Sequence, residues 1–300
     1  MLKIAFDPIY HHPLPEGHRF PMAKYSLLPE QLLYEGTCTE DNFFRPELLK
    51  EEQILRTHCP EYWQKLKDLK LSRAEERRTG FPLSAQLVER ERRIAQGTID
   101  CCFHALEYGV SLNIAGGTHH AYTNRGEGFC LLNDIGVAAH YLLDHNLAQQ
   151  ILVVDLDVHQ GNGTAEIMAG ENRVFTFSMH GEKNYPLHKE KSDLDIALAD
   201  DTNDLEYLSR LREELPRLLD RLNADFIFYQ SGVDVLATDK LGRLGMSIAG
   251  CKERDRFVFE EAQKRQIPVV CSMGGGYSER LADIVEAHAN TYRLAQTMYF

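Results

Sequence analysis

The sequence predicts an α/β fold with a largely parallel sheet covered by helices on both faces. Three observations predict it. Apolar runs of strand length alternate along the chain with stretches of helical periodicity, which is the pattern of a sheet buried on both sides. Four of the predicted strands end in clusters of glycine, acid and histidine. No internal repeat, low-complexity tract or Ser/Gly linker interrupts the alternation.

In chain order, LKIAF (2–6) reads as a first strand, and 83–108 as a long amphipathic helix stopped by Gly109. SLNIA (111–115) is a short strand running into a glycine-rich loop. Asn133 caps a helix over 134–145, and ILVVDLD (151–157) is the next strand. A helix over 163–168 and a strand VFTFSM (174–179) follow, then a strand DLDIAL (193–198). Asn203 or Asp204 caps a helix running to about residue 223. DFIFYQS (225–231) is a strand, 247–265 a helix, PVVCSM (268–273) a strand, and 279–297 a closing helix. Active sites in parallel sheets lie beyond the carboxyl ends of the strands. That rule brings four clusters to one edge: Gly116 to His120, Asp157 with His159, Gly232 with Asp234, and Gly274 to Tyr277.

The composition is that of a globular protein, 43% hydrophobic and 26% charged, with a net charge of −12. An acidic surface argues against nucleic acid and anionic membranes as partners. It is compatible with a cationic small molecule or a lysine-rich peptide. The N-terminal apolar run is five residues long and broken by Asp7 and Pro8, too short for a signal-peptide core. No apolar stretch is long enough to span a membrane. Seven cysteines without a CxxC pair read as reduced thiols, and the expected location is cytoplasmic.

The chemistry begins at VVDLDVHQGNG (153–163), a buried strand that ends in two carboxylates and an imidazole. Unpaired buried charge costs several kcal/mol, so a compensating cation is expected there. In an extended segment Asp157 and His159 face the same way, and Asp234 arrives from another strand. Taken alone, D-x-D-x-H also suits turn and capping residues; Asp234 at a second strand end turns the reading to a metal. One imidazole and two carboxylates suit Zn²⁺ with an open position, and Fe²⁺, Co²⁺ or Mn²⁺ could also bind. His119 or His120 can supply the base that a metal-activated water needs. Asp155 and Asn162 are candidates to orient these imidazoles. Tyr277, after three glycines, can donate to an oxyanion, although a glycine turn with a half-buried tyrosine reads equally well from GGGY alone.

Taken together these segments resemble the zinc-dependent histone deacetylase family, including bacterial amidohydrolases. The matching stretches are GGTHHA (116–121), GEGFCLLNDI (126–135), DLDVHQGNGT (155–164), SMH (178–180), QSGVDVLATDKLG (230–242) and GGGY (274–277). HRFPMAKY (18–25) and KSDLDIAL (191–198) look most like the class IV-type branch. The resemblance implies the arginase/deacetylase fold, a three-layer αβα sandwich around a mainly parallel, roughly eight-stranded sheet, with 1–300 as one catalytic domain. It implies Asp157, His159 and Asp234 as zinc ligands, His120 as general base and acid, and His119 as its electrostatic partner. Tyr277 polarises the carbonyl in this scheme, Asp155 pairs with His119, and Asn162 pairs with His120. A structural K⁺ is implied near Asp155, Asp157, His159, Ser178 and Met179. Gly128 and Phe129 match one wall of an acyl-lysine tunnel, Tyr185 the opposite wall and Leu241 the rim; ordinary core packing is the lesser alternative for the Phe129 and Tyr185 rings. Arg19 matches an arginine lining the cavity below the metal.

Three positions depart from the family pattern. Asn162 stands where several relatives have aspartate, which should leave the His120 pKa less elevated. Gln160 replaces a common histidine, and Met273 replaces the first glycine of GGGGY. Without an N-terminal extension or tail, corepressor docking is not expected.

The implied activity is removal of acetyl or longer acyl groups from N-acyl-lysine in proteins or peptides. The rival on the same scaffold is an acetylpolyamine amidohydrolase, which would need an acidic or constricted gate. A binuclear ureohydrolase would need D-A-H-x-D where the chain has DLDVHQG. A reader that binds acyl-lysine without cleaving it would not need His119, His120 and Tyr277.

Overall fold

A computed structural model describes all 300 residues. Eight strands form one sheet: β1 (Lys3–Ala5), β2 (Phe43–Phe44), β3 (Val110–Asn113), β4 (Ile151–Asp155), β5 (Val174–Gly181), β6 (Leu194–Leu198), β7 (Phe226–Gln230) and β8 (Val269–Ser272). Their order is β2-β1-β3-β8-β7-β4-β5-β6, and every neighbouring pair is parallel. The four central strands β3, β8, β7 and β4 are buried at every residue, which is why they read as unbroken apolar runs. At the edge, β6 alternates between exposed and half-buried positions, as DLDIAL alternates in sequence.

Ten helices cover the sheet: α1 (Lys24–Tyr34), α2 (Glu51–Thr57), α3 (Pro60–Lys67), α4 (Arg73–Thr79), α5 (Ala85–Tyr108), α6 (Asp134–Asp144), α7 (Asn162–Met168), α8 (Asp204–Leu222), α9 (Ile248–Arg265) and α10 (Leu281–Tyr299). They pack in two groups. One centres on α5, with α3 and α6 beside it and α2 and α7 against α6. The other runs α8, α9, α10, α1. The result is the three-layer αβα arrangement of the arginase/deacetylase fold.

Local chemistry sets the helix ends. Ser84 accepts a hydrogen bond from Leu87 N–H to start α5, and Gly109 ends it in the left-handed conformation with φ 89°. Asn133 caps α6, Asn203 rather than Asp204 caps α8, and Ser247 caps α9. Every strand and helix read from the sequence is present to within a few residues. The stretch from residue 7 to 82 carries no clear apolar period in sequence, and it folds into β2, two short 3₁₀ turns and α1 to α4. No helix is long and apolar enough to cross a membrane. All seven cysteines are free thiols.

Candidate metal and catalytic centre

Because the sheet is parallel, the loops after β3, β4, β7 and β8 meet at one edge. β4 stops at Asp155 and the chain then bends. Asp157 and His159 therefore do not share a strand face, as the extended reading had it. A turn brings them together: His159 N–H donates to Asp157 Oδ1 at 3.0 Å. The loop after β7 brings in Asp234. The His159 ring nitrogen Nδ1 lies 3.1 Å from Asp157 Oδ1 and 3.0 Å from Asp234 Oδ2.

The other carboxylate oxygens are held by backbone. Val158 N–H donates to Asp234 Oδ1 at 3.0 Å, and Gly275 N–H to Asp157 Oδ2 at 2.8 Å. Two inward oxygens and one ring nitrogen are left facing each other, with the three ligand atoms within 4.8 Å of one another. All three side chains are buried. That donor set and spacing suit one divalent cation. Burial by itself would lower His159, but bonding to both carboxylates raises it to about 10. Burial and the nearby Asp157 charge push Asp234 up to about 7. The unbalanced charge of this trio is what a cation would neutralise.

Gly275 makes the close approach possible. A Cβ there would lie 2.0 Å from Asp234 Oδ2 and 2.9 Å from Asp157 Oδ2.

The two histidines stand beside the trio. His119 Nδ1 is 2.7 Å from Asp155 Oδ2, and His120 Nδ1 is 2.6 Å from Asn162 Oδ1. Their surroundings push them apart. Burial would lower His119, but Asp155 and Asp157 raise it to about 9. Burial, then the charges of His119 and His159, hold His120 well below the usual imidazole range, and the neutral Asn162 does little to oppose them. His120 therefore keeps an unprotonated Nε2, the state a general base needs. The loop carrying both residues is clamped by buried Asp134, which accepts from Gly117 N–H at 3.0 Å and Thr118 N–H at 2.7 Å.

Tyr277 reaches the site from the turn after β8, its N–H donating to Asp239 at 2.6 Å. Its ring centroid is 6.3 Å from that of His159. Burial and the Asp234 and Asp157 charges hold the phenol well above its usual pKa, so it stays a donor.

Residues 18–292 match the histone deacetylase domain. The chain belongs to the histone deacetylase family. It is 41% identical over 296 residues to an uncharacterized protein of Picosynechococcus sp., covering 99% of both chains. It is 29% identical over 280 residues to histone deacetylase 2 of Arabidopsis thaliana, covering 89% of this chain and 72% of the relative. Solved structures share the fold, among them two HDAC homologues. The HDAC homologue from Aquifex aeolicus has a TM-score of 0.83 at 21% identity, over 97% of this chain and 82% of the other. An HDAC homologue complexed with SAHA has a TM-score of 0.83 at 22% identity, over 99% and 83%.

In this deacetylase-family chain the site is the neck between two spaces. His120, Gly128, Phe129, His159 and Tyr277 line both. The inner chamber is small, about 30 Å³, and the outer pocket holds about 750 Å³. Phe129 adopts φ 68°, a left-handed conformation costly for a non-glycine residue, and its ring stands at the neck. The Tyr185 ring lies 5.0 Å from His120 and perpendicular to it, and its hydroxyl bonds Glu127. Leu241 lines the outer pocket. Asp155 and Ser178 are register partners on β4 and β5, but Ser178 Oγ is engaged by His180 at 2.9 Å.

Arg19 is not where the resemblance put it. It is exposed and lines the outer pocket, its guanidinium 5.0 Å from the centroid of the Phe129 ring. Arg90, on α5, is the guanidinium of the inner chamber, held by Tyr10 C=O at 2.8 Å and by Glu91. The stretch before α1 leaves Arg19 outside the neck, whereas the buried face of α5 delivers Arg90 below it.

Two further residues escaped sequence reading. Lys24 is fully buried, and its ammonium donates to Gly274 C=O at 3.1 Å and lies 5.6 Å from the Tyr277 ring centroid. Arg254 is equally buried and donates to Leu156 C=O and Gly232 C=O at 3.1 and 2.7 Å, joining the loops after β4 and β7. A lone Lys or Arg in a helix carries no sequence mark of burial. Only its position on the inward stripe of α1 or α9 could have hinted at it.

Proposed function

We propose that the chain hydrolyses the amide of N-acyl-lysine side chains in proteins or peptides, with residues 1–300 as one catalytic domain. The observation that carries the reading is the convergence, at one neck, of the Asp157–His159–Asp234 trio with His120 and Tyr277. Asp157, His159 and Asp234 would hold zinc, with Fe²⁺ or Co²⁺ as alternatives. When bound, that ion would supply carbonyl polarisation and a more acidic water.

The chain's own groups do the rest. The lysine methylenes pass between Phe129 and Tyr185, over Gly128, with Leu241 at the rim. The His120 Nε2 accepts the proton of the attacking water and then delivers it to the leaving amine nitrogen. Asn162, accepting from Nδ1–H, fixes the tautomer that makes this possible. His119, held by Asp155, keeps a positive charge beside the developing oxyanion, and the Tyr277 hydroxyl donates to it. A potassium ion near Asp155, Asp157, His159, Ser178 and Met179 belongs to the same reading.

The small inner chamber favours short acyl groups, since it has room for about one water-sized group. Zinc-loaded protein should release acetate from an acetyl-lysine peptide, and His120→Ala should reduce kcat by at least about 10². In an acyl series, acetyl should be cleaved faster than decanoyl or longer chains. No acetate release from any acylated lysine or acylated amine would refute the assignment.

A further inference from the structure

The charge around the entrance is the reverse of the charge of the molecule. The chain carries −12 overall. Yet the outer pocket is lined by Arg19, Arg77, Arg78, Lys183, Lys240 and Arg243, and by no aspartate or glutamate. These six come from four separate parts of the chain: the segment before α1, the last turn of α4, the turn after β5 and the loop after β7. One basic loop does not explain that convergence.

Nor are the charges consumed by neighbours. Lys183 and Arg243 share a single carboxylate, Asp200, at 3.4 and 3.1 Å. Arg78 is 3.9 Å from Glu127, which already pairs with Arg125 at 2.7 Å. Arg19, Arg77 and Lys240 have no carboxylate partner. Six cations with two shared acids leave a strongly positive mouth.

Resting on the acyl-lysine reading, the geometry points to an acidic substrate: a peptide or protein segment carrying aspartate or glutamate beside the acylated lysine. The acyl group and lysine stem occupy the inner chamber, the neck and the part of the outer pocket between Phe129 and Tyr185, so the rest of the outer pocket meets whatever flanks that lysine. In an extended segment, neighbouring side chains project within about 3–7 Å along the strand of the lysine, inside the span of the basic ring. Arginine forks bind carboxylates in pairs of hydrogen bonds, and a ring of one sign draws in the opposite charge and repels its own. The same ring disfavours an acylated polyamine or a lysine-rich tail. The overall acidity of the chain suggests such cationic partners, but the entrance opposes them.

The test compares acetyl-lysine peptides of one scaffold, flanked by Asp/Glu, by Asn/Gln or by Lys/Arg, together with acetylputrescine. Metal-loaded protein is assayed at about 20 and 200 mM salt, and binding is followed in parallel by fluorescence anisotropy. The acidic peptide should exceed the basic one by about tenfold or more in kcat/KM at low salt, mainly through KM, and the ratio should shrink as salt rises. The double variant Arg77→Glu, Lys240→Glu should lower or invert that ratio. Equal or reversed preference, or a ratio untouched by salt and by the double variant, overturns the inference while leaving the deacylase reading intact. Charge-ordered binding without turnover would uphold the acidic ligand and sink the deacylase reading. Absence of both would sink both.

Discussion

Tyr277 and Lys24 act on one another. The buried ammonium sits beside the Tyr277 ring and holds the Gly274 carbonyl, so it braces the turn from which the phenol reaches the neck. If the phenol donates to the oxyanion, Tyr277→Phe should lower kcat by about 10²–10³ with little change in KM, read from steady-state kinetics on an acetyl-lysine peptide. Lys24 makes a different prediction. Burial, only partly offset by Asp234 and Asp157, lowers its pKa to about 8 from the ordinary 10.5. Below pH 8 both folded and unfolded chains carry this proton and the burial cost is complete. Between 8 and 10.5 the unfolded chain binds it more, so stability should rise with pH across that window, by at most about 1.4 kcal/mol per unit. Urea unfolding of wild type and Lys24→Met at pH 7.5, 8.5 and 9.5 checks this. The stability difference between them should move in favour of the wild type as pH rises, and a constant difference would mean that Lys24 is not a buried cation.

The turn after β8 shows what an element contributes. Gly275 donates to Asp157 and passes so close to Asp234 that a methyl group would displace its carboxylate. Gly275→Ala should therefore weaken divalent-metal binding by tenfold or more while leaving the far-ultraviolet circular dichroism unchanged, since β8 ends at Ser272. Calorimetric titration of the metal-free protein measures it. The same scale explains what could be read in advance. From β3 onward, buried strands and amphipathic helices alternate, and their apolar periods are strong enough to show in one sequence. The segment before α5 hides its helices. α1 contains Pro29, and α4 is RAEERRT with one buried residue. For α4 the only local signal was its capping box, Ser72 with Glu75, at 3.3 and 2.7 Å. The ligand trio was legible because strand ends in a parallel sheet share an edge. The position of Arg19 was not, because no periodicity runs through the segment that carries it. The basic mouth stayed hidden for a related reason: its members are far apart in sequence and diluted by a net acidic composition.

At the scale of the molecule, the centre is also a clasp. Its three candidate ligand side chains sit on the loops after β4 and β7, and the turn after β8 is tied in through Gly275. Arg254 ties two of those loops from beneath, with Asp255 at 2.8 Å. Without a cation, the trio leaves two buried carboxylates around one imidazole, an arrangement that favours local opening. A divalent ion that binds only the folded chain should therefore stabilise the whole sheet edge. At a concentration one hundred times its Kd the gain is about 2.7 kcal/mol, which for a chain of this size means a Tm higher by roughly 5 °C. Binding should also release protons, because the nitrogen that would meet the metal lies within hydrogen-bonding distance of both carboxylates in its absence. Scanning calorimetry with and without zinc, after treatment with a chelator, measures the first effect. Titration in buffers of different ionisation enthalpy measures the second. Asp234→Asn should abolish most of the zinc-induced shift, and a shift of equal size in that variant would show that the ion binds elsewhere.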